Sequence, residues 1–174
     1  MKILSRLLLP VITLSLLGTL NGCATSQTVT HSKPGTTTTI VLTRHGDREK
    51  FAKELNHKGQ ARAQALVEAV SDIKISAIYV PDYQRNLETA KPLANHLGIE
   101  INVVAENMHK LATTILTEHP GEAVLWVGNK INLTNLYTLL GGEDEPPVSY
   151  GDLYIMKIKE SGAPGVTKKR YGPR

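Results

Sequence analysis

Cysteine is almost absent from this chain. Of its 174 residues one is a cysteine, Cys23, so an intrachain disulfide is excluded and a thiolate metal site has too few ligands. Histidine is absent after position 119: the six histidines are His31, His45, His57, His96, His109 and His119. Any site built from the later part of the chain therefore has no imidazole of its own.

The first 22 residues have the features of a secretion signal. Lys2 and Arg6 precede an apolar stretch, and Leu20-Asn21-Gly22-Cys23 resembles a bacterial lipobox. The alternative is a transmembrane anchor, but the apolar stretch is shorter than the ~20 residues that span a bilayer and contains Ser, Thr, Gly and Pro. We therefore expect residues 1–22 to be a lipoprotein signal peptide and Cys23 to carry the lipid.

Two segments follow the predicted cleavage point. Residues 23–36 are rich in Ser and Thr and lack periodicity, which is typical of a flexible tether. Residues 37–174 are enough for one domain. Without Lys2 and Arg6, 18 basic residues remain against 16 acidic ones, too small an excess to indicate a nucleic-acid partner. With Ala24 after Cys23, we expect a lipid-anchored protein of the bacterial envelope, at the outer membrane and facing the periplasm if the host has two membranes.

The domain alternates strand and helix patterns. Strands are predicted near residues 38–43, 76–80, 100–104 and 122–128, each followed by a helix, and a terminal hairpin is predicted from 152 to 171. Two helical stripes are predicted to face the core: Leu87, Ala90, Ala94 and Leu97 in one helix, and Met108, Leu111, Ala112 and Ile115 in the next. The pattern predicts a three-layer α/β fold with a mainly parallel sheet, helices on both faces and a C-terminal β-hairpin.

Polar side chains follow three of these predicted strands. Arg44 and His45 come directly after the first strand, Arg85 lies just past the second, and Asn129 follows the fourth. Because the carboxyl ends of parallel strands meet at one edge of a sheet, we expect these residues to converge on one rim. This rim would contain two guanidinium groups, an imidazole and an amide, close to helix amino termini. Such a combination is suited to binding a phosphoryl group.

The motifs that contain these residues resemble one family. Arg44-His45-Gly46 follows the apolar run Thr39-Ile40-Val41-Leu42-Thr43, Asn56 to Ala61 opens a helix, and Asp82 to Arg85 leads into Glu88-Thr89-Ala90. From about Thr37 to Tyr171 the chain is similar to the histidine phosphatase superfamily, in its phosphoglycerate mutase-like branch. The resemblance implies that His45 is the nucleophile, that Arg44 and Arg85 bind phosphate, and that neither a metal nor a cofactor is required.

The chain departs from this family at the second catalytic histidine. The family places that histidine after the glycine that ends the fourth strand, where Asn129 stands here. His119 precedes that strand, roughly 25 Å away along a chain that rises ~3.3 Å per residue, and is at the wrong end of the sheet to replace it. A leaving-group acid is also hard to assign: Glu106 is the nearest candidate, with Asp47 and Glu49 as alternatives.

Two functions from different classes remain open. The first is hydrolysis of phosphate monoesters, or of a phosphorylated envelope component, through a phosphohistidine on His45 with low activity. The second is a degenerate family member that binds a phosphorylated ligand or protein partner without turnover. A third and weaker hypothesis is a membrane-tethered interaction protein with a vestigial pocket; retention of Arg44, His45 and Arg85 favours the first two.

Overall fold

The computed structural model describes residues 30–174, so the predicted signal peptide, Cys23 and residues 23–29 of the predicted tether lie outside the described residues. The elements are, in chain order, β1 (Thr38–Arg44), α1 (His57–Ala69), β2 (Ile75–Pro81), α2 (Gln84–Leu97), β3 (Ile101–Val104), α3 (Met108–Glu118), β4 (Ala123–Gly128), α4 (Lys130–Leu139), β5 (Asp152–Ile158) and β6 (Gly165–Arg170). None of these helices is long and apolar enough to cross a membrane.

The six strands form one mixed sheet in the order β3-β2-β4-β1-β5-β6. The pairs formed by β1, β2, β3 and β4 are parallel, because a helix connects each of these strands to the next. The terminal hairpin adds β5 and β6 in antiparallel pairing. The predicted fold class, with its mainly parallel sheet and C-terminal hairpin, is confirmed.

Two apolar cores cover the two faces of the sheet. Because side chains alternate along a strand, Val41 faces one core while Ile40 and Leu42 face the other. Helices α1 and α2 cover the core that contains Val41, and α3 and α4 cover the opposite core. The central strands are therefore buried on both faces, which leaves their ends as the places where polar side chains gather.

The predicted helical stripes are correct except at one end. All four residues of the α3 stripe are buried, from Met108 to Ile115. In α2, Ala90 and Ala94 are buried, but Leu97 is 37% exposed because it lies in the last turn before Gly98. Gly98 ends the helix in the left-handed conformation, with φ of 66°. The buried residue that completes this face is Leu93, which the predicted stripe omitted.

The described chain packs against the domain from Ser32 onward. Ser32 is buried, its N–H donates to Lys159 O at 3.0 Å, and its hydroxyl bonds to that of Thr38 at 2.7 Å. These contacts lie within the predicted tether, five residues before the predicted domain start at 37. The chain therefore enters at the amino end of β1, about 20 Å along the strand from Arg44 at ~3.3 Å per residue.

Candidate functional site

The side chains predicted to share a rim do lie together at the carboxyl ends of the strands. Arg44 ends β1, and the N–H of His45 donates to Gly128 O at 3.0 Å, which continues the pairing of β1 with β4. Arg85 lies in the first turn of α2, and its guanidinium donates to Asn129, the residue that caps α4. Parallel pairing of neighbouring strands thus assembles a site from three distant parts of the sequence.

The imidazole of His45 is buried and oriented by its neighbour. Its Nδ1 lies 2.8 Å from Gly46 O, an acceptor, so we assign the proton to Nδ1 and the free electron pair to Nε2. The pKa of His45 is lowered to about 4: burial is the largest cause, the charges of Arg44, Arg85 and Arg48 act in the same direction, and the Gly46 hydrogen bond opposes them. The ring is therefore neutral at pH 7, as a nucleophile requires.

Glycine is required where the His45 loop lies on α1. A Cβ at Gly46 would lie 2.7 Å from Gly59 O, and a Cβ at Gly59 would lie 2.1 Å from Asp47 O. The loop is also fixed to α2, since the N–H of Gly46 donates to the Thr89 hydroxyl at 2.9 Å. The glycine that follows His45 thus allows the close approach of loop and helix that sets the position of the imidazole.

Tyr150 is a site residue that the sequence analysis missed. Its ring centroid lies 3.9 Å from Cζ of Arg44, and its ring meets the imidazole of His45 edge-on at 5.7 Å. Arg44 also donates from Nη1 to Val148 O at 3.1 Å. Burial lowers the pKa of Arg44, and Tyr150 opposes this shift. No spacing in the sequence relates position 150 to position 44.

The guanidinium of Arg85 is engaged with the amide that replaces the expected histidine. Nε and Nη2 of Arg85 both donate to Oδ1 of Asn129, at 3.2 and 3.0 Å. The Tyr83 ring lies against the same guanidinium, with its centroid 4.4 Å from Cζ. The Nε/Nη2 edge is the one that binds two oxygens of a phosphate, so in this structure the amide oxygen occupies that edge.

Arg48 is a third guanidinium at the site and was not predicted. Its Nη1 donates to Glu49 O at 3.1 Å and to Ala52 O at 3.0 Å. Its charge contributes to the lowered pKa values of His45, Arg44 and Arg85, for which burial is the largest cause. The residue lies three positions after His45, but the loop has no periodicity that would indicate its orientation.

Two of the three acids considered for proton donation are engaged elsewhere or exposed. The carboxylate of Asp47 accepts from Nε of Arg62 at 2.6 Å. This ion pair is buried, so the Asp47 carboxylate has a structural role. Glu49 is exposed and accepts from Asn56 at 2.9 Å. The buried ion pair argues against Asp47 as the leaving-group acid.

Glu106 is connected to the rest of the rim. Its carboxylate accepts from Nδ2 of Asn132 at 3.3 Å, while Oδ1 of Asn132 accepts from the N–H of Asn129 at 2.7 Å. A hydrogen bond to Glu106 is the largest cause of the raised pKa of Tyr83, whose ring lies against Arg85. Glu106 is exposed, and of the three acids it is the one linked by hydrogen bonds to Asn132 and through it to Asn129.

His119 lies at the opposite end of the sheet. It follows the last turn of α3, bonds through Nε2 to the Tyr79 hydroxyl at 2.9 Å, and pairs through Nδ1 with Glu122 at 2.8 Å. Glu122 directly precedes β4, whereas Asn129 follows its end. This placement agrees with the exclusion of His119 from the rim.

The fold and the rim together define a phosphoglycerate mutase-like α/β domain. Residues 40–107 match the sequence model of the histidine phosphatase superfamily (branch 1), which covers less than half of the chain. The match includes Arg44, His45 and Arg85, and it ends before Asn129. No curated protein sequence matches the chain.

Several solved structures are similar to this chain over nearly the whole of their own length. The protein histidine phosphatase SixA, complexed with tungstate, is 14% identical with a TM-score of 0.63, over 76% of this chain and 96% of its own. YhfR of Bacillus stearothermophilus is 20% identical with a TM-score of 0.63, over 75% and 95%. The mycobacterial glucosyl-3-phosphoglycerate phosphatase is 12% identical with a TM-score of 0.61, over 79% and 100%. At these identities the likeness establishes the fold alone.

Proposed function

We propose that this chain is a histidine phosphatase-like protein that hydrolyses phosphate monoesters through a phosphohistidine on His45, with low activity. The observation that carries the proposal is the state of that imidazole: it is buried and neutral, with Nδ1 held by Gly46 O and Nε2 left as the nucleophilic nitrogen. The guanidiniums of Arg44 and Arg85 supply the positive charge that a phosphoryl group needs. Similar structures binding tungstate, inorganic phosphate and VO3 support an oxyanion at this rim.

The reaction divides into two displacements at phosphorus. In the first, Nε2 of His45 forms a bond to phosphorus while the bond to the ester oxygen breaks, and the alcohol leaves with a proton for which Glu106 is the candidate donor. In the second, water attacks phosphorus and gives a proton to the Glu106 carboxylate that the first step left ionised, the N–P bond breaks and returns its electron pair to Nε2, and inorganic phosphate leaves. Arg44 and Arg85 hold the non-bridging oxygens, on which charge redistributes in each transition state.

Low activity follows from Asn129. An amide donates hydrogen bonds but carries no charge, and the loss of one oriented transition-state group typically costs ~10²–10³ in rate. In the free protein the Asn129 oxygen accepts from Arg85, so the amide also competes with phosphate for that guanidinium. Turnover should suffer more than binding, because the lost group acts chiefly in the transition state.

A second candidate function is binding without turnover. The specific observation in its favour is that an uncharged amide, Asn129, which accepts from Arg85, stands where the second catalytic histidine is expected. In that case the protein would recognise a phosphorylated ligand or protein partner, and His45 would act as a neutral hydrogen-bonding group. Covalent phosphorylation of His45 separates the two candidates, since the binder would form none.

We further propose that the protein is anchored in the bacterial envelope by lipid on Cys23, after removal of residues 1–22. The support from the described residues is geometric: the chain enters at the amino end of β1, beside Ser32 and Lys159, whereas His45 follows the opposite end. An anchor before Ser32 would therefore leave the rim at the far end of the domain from the point of attachment. Phosphorylated envelope components on the periplasmic side would be the accessible substrates.

A test begins with the lipid-free chain starting at Ala24, which retains every described residue. Incubation with an aryl phosphate, rapid acid-free quenching and intact-mass analysis should show a phosphorylated species in the wild type and none in His45→Ala. His96→Ala is the matched control, since His96 is exposed in the last turn of α2 and should leave labelling unchanged. Absence of both turnover and label would favour the binding function.

A further inference from the structure

The segment between α4 and β5, residues 140–151, supplies two contacts to the guanidinium of Arg44. Nη1 of Arg44 donates to Val148 O at 3.1 Å, and the centroid of the Tyr150 ring lies 3.9 Å from its Cζ. Nε of Arg44 is buried without a hydrogen-bond partner in the described part of the chain. A buried donor without an acceptor disfavours this arrangement, so the neighbours of Arg44 have to hold it in place.

One carboxylate fixes the backbone between these two contacts. Residues 149–152 form a turn in which the N–H of Asp152 donates to Ser149 O at 3.2 Å. Oδ2 of Asp152 accepts in return from the N–H of Ser149 at 2.8 Å. Because Ser149 lies between Val148 and Tyr150, the Asp152 side chain sets the path of the backbone at both residues that contact Arg44.

Arg170 of β6 connects this turn to the terminal hairpin. It lies opposite Asp152 in the antiparallel pairing of β5 with β6. Its Nη1 donates to Oδ1 of Asp152 at 2.7 Å, and its Nη2 donates to Tyr150 O at 2.9 Å. One guanidinium therefore binds both the carboxylate that fixes Ser149 and the backbone of the residue whose ring lies against Arg44.

The other contacts of the turn lie at its end nearest β5. The N–H of Tyr171 donates to Gly151 O at 2.9 Å. A Cβ at Gly151, whose φ is 83°, would lie 2.6 Å from Tyr171 O, so the turn can approach the C-terminal segment this closely only with glycine. These contacts hold Gly151, whereas the backbone of Tyr150 is held by Arg170.

From these contacts we infer that Asp152 and Arg170 are positioning residues for phosphate binding by Arg44. They hold the turn from Ser149 to Asp152 so that Val148 O and the Tyr150 ring set the orientation of the Arg44 guanidinium. The inference rests on the proposed function for the role of Arg44. The bonds of Asp152 and Arg170 reach the turn and each other, so both residues act on Arg44 through the turn.

Binding of inorganic phosphate to the lipid-free chain tests this positioning. Arg170→Met removes both bonds of the guanidinium and should weaken phosphate binding by roughly 3- to 10-fold in a calorimetric titration, because the released turn no longer fixes Arg44. Arg170→Lys keeps the charge and should recover part of the affinity. Asp152→Asn keeps the shape of the side chain without its charge; it should also weaken binding, and it serves if Arg170→Met fails to fold.

Lys168→Met is the matched control for Arg170→Met. Lys168 lies in the same strand and pairs with Asp144, which belongs to the same segment between α4 and β5 but not to the turn. We expect Lys168→Met to leave phosphate affinity unchanged. In a Tyr150→Leu background, Arg170→Met should cost little further affinity, because two substitutions that act through one contact are not additive.

The ring-proton NMR signals of His45 report on the turn without any ligand. The Tyr150 ring meets the imidazole edge-on at a centroid distance of 5.7 Å, and an aromatic ring shifts the resonances of protons close to it. Arg170→Met should therefore move the His45 signals towards their positions in Tyr150→Leu. Lys168→Met should leave them at their wild-type positions.

The outcomes separate this inference from the proposed function. Unchanged phosphate affinity and unchanged His45 signals in Arg170→Met would overturn the inference while the phosphate site stands. Equal weakening by Arg170→Met and Lys168→Met, or an equal cost of Arg170→Met with and without the Tyr150 ring, would also overturn it. If the wild type binds no phosphate, the proposed function fails, and the His45 signals alone decide whether Arg170 holds the turn.

Discussion

The ring of Tyr150 lies 3.9 Å from Cζ of Arg44 and meets the imidazole of His45 edge-on at a centroid distance of 5.7 Å. One aromatic side chain therefore contacts both residues of the Arg44-His45 pair. Its segment is anchored on the terminal hairpin, because Nη2 of Arg170 donates to the backbone oxygen of Tyr150 at 2.9 Å. The hairpin thus contributes to the site although none of its strands carries a predicted site residue.

Loss of the Tyr150 ring should weaken anion binding. A cation–π contact is worth ~0.5–2 kcal/mol, so Tyr150→Leu should reduce the affinity for inorganic phosphate by roughly 3- to 30-fold. Tyr150→Phe keeps the ring and should remain close to the wild type in a calorimetric titration. Equal weakening by both variants would show that the hydroxyl, rather than the ring, supports Arg44.

The protonation of His45 gives a direct test of its environment. We expect its imidazole to titrate with a pKa of about 4 in the free protein, mainly because it is buried. Bound phosphate should raise this pKa, since a nearby negative charge favours the imidazolium form. Ring-proton NMR shifts measured from pH 3 to 8, with His45→Ala to assign the signal, would decide this.

The same shift makes folding stability depend on pH. Because the folded-state pKa of His45 lies below the value of 6.5 in the unfolded chain, the unfolded state binds the proton more readily. The contribution of this group is therefore complete above pH 6.5 and is lost as the pH falls towards 4. Urea unfolding should show a weaker loss of stability between pH 7 and 4 in His45→Gln than in the wild type.

Arg62 joins the loop that contains His45 and Asp47 to the C-terminal segment. Its Nε donates to Asp47 at 2.6 Å, and its Nη1 and Nη2 donate to the backbone oxygens of Tyr171 and Pro173 at 2.7 and 2.8 Å. Arg62→Met leaves the Asp47 carboxylate unpaired in a buried position, which should cost ~3–5 kcal/mol in the free energy of unfolding.

The exposed ion pair of Lys169 is the control for the buried ion pair of Arg62. The ion pair of Lys169 with Asp72 is exposed and 3.4 Å long, so Lys169→Met should cost less than about 1 kcal/mol. Denaturant unfolding monitored by the fluorescence of the buried Trp126 would measure both variants. Similar losses for the two would mean that the Arg62 pair does not stabilise the loop.

Most of the fold was predictable because the apolar residues of its strands and helices recur with the periods typical of those elements. The run from Thr39 to Thr43 could only be a buried strand, and its register brings Arg44 to the rim. The stripe from Met108 to Ile115 likewise packs as predicted. The error at Leu97 arose because periodicity alone does not show where a helix ends, whereas Gly98 does.

The missed site residues share one property: their contacts follow no periodicity of the sequence. Tyr150 meets Arg44 across 106 positions through stacking, a contact that no spacing encodes. Arg48 lies within the recognised motif, but its orientation is set by backbone carbonyls in an irregular loop. The ion pair between Asp47 and Arg62 could not be predicted either, because the sequence offers several basic residues that could have paired with Asp47.

Lipid attachment at Cys23 remains a prediction, since that residue lies outside the described part of the chain. Expressed in its host, the wild type should fractionate with membranes, and Cys23→Ser should appear in the soluble envelope fraction, because two or more acyl chains anchor a protein stably. Intact mass should show the acyl chains on the wild type alone. Membrane association of both forms at the same mass would contradict the anchor.

Restoring an imidazole at position 129 tests the account of low activity most directly. Asn129→His should raise turnover of an aryl phosphate by up to ~10²-fold, because the added group acts on the transition state, and phosphate affinity should change only modestly. An aryl phosphate is the right substrate, since its good leaving group needs little help from Glu106. Asn129→Gln is the matched control: it keeps an amide, and should leave turnover low. If Asn129→His changes nothing while the wild type already hydrolyses esters rapidly, another group stabilises the transition state, and the Arg85–Asn129 contact does not limit this site.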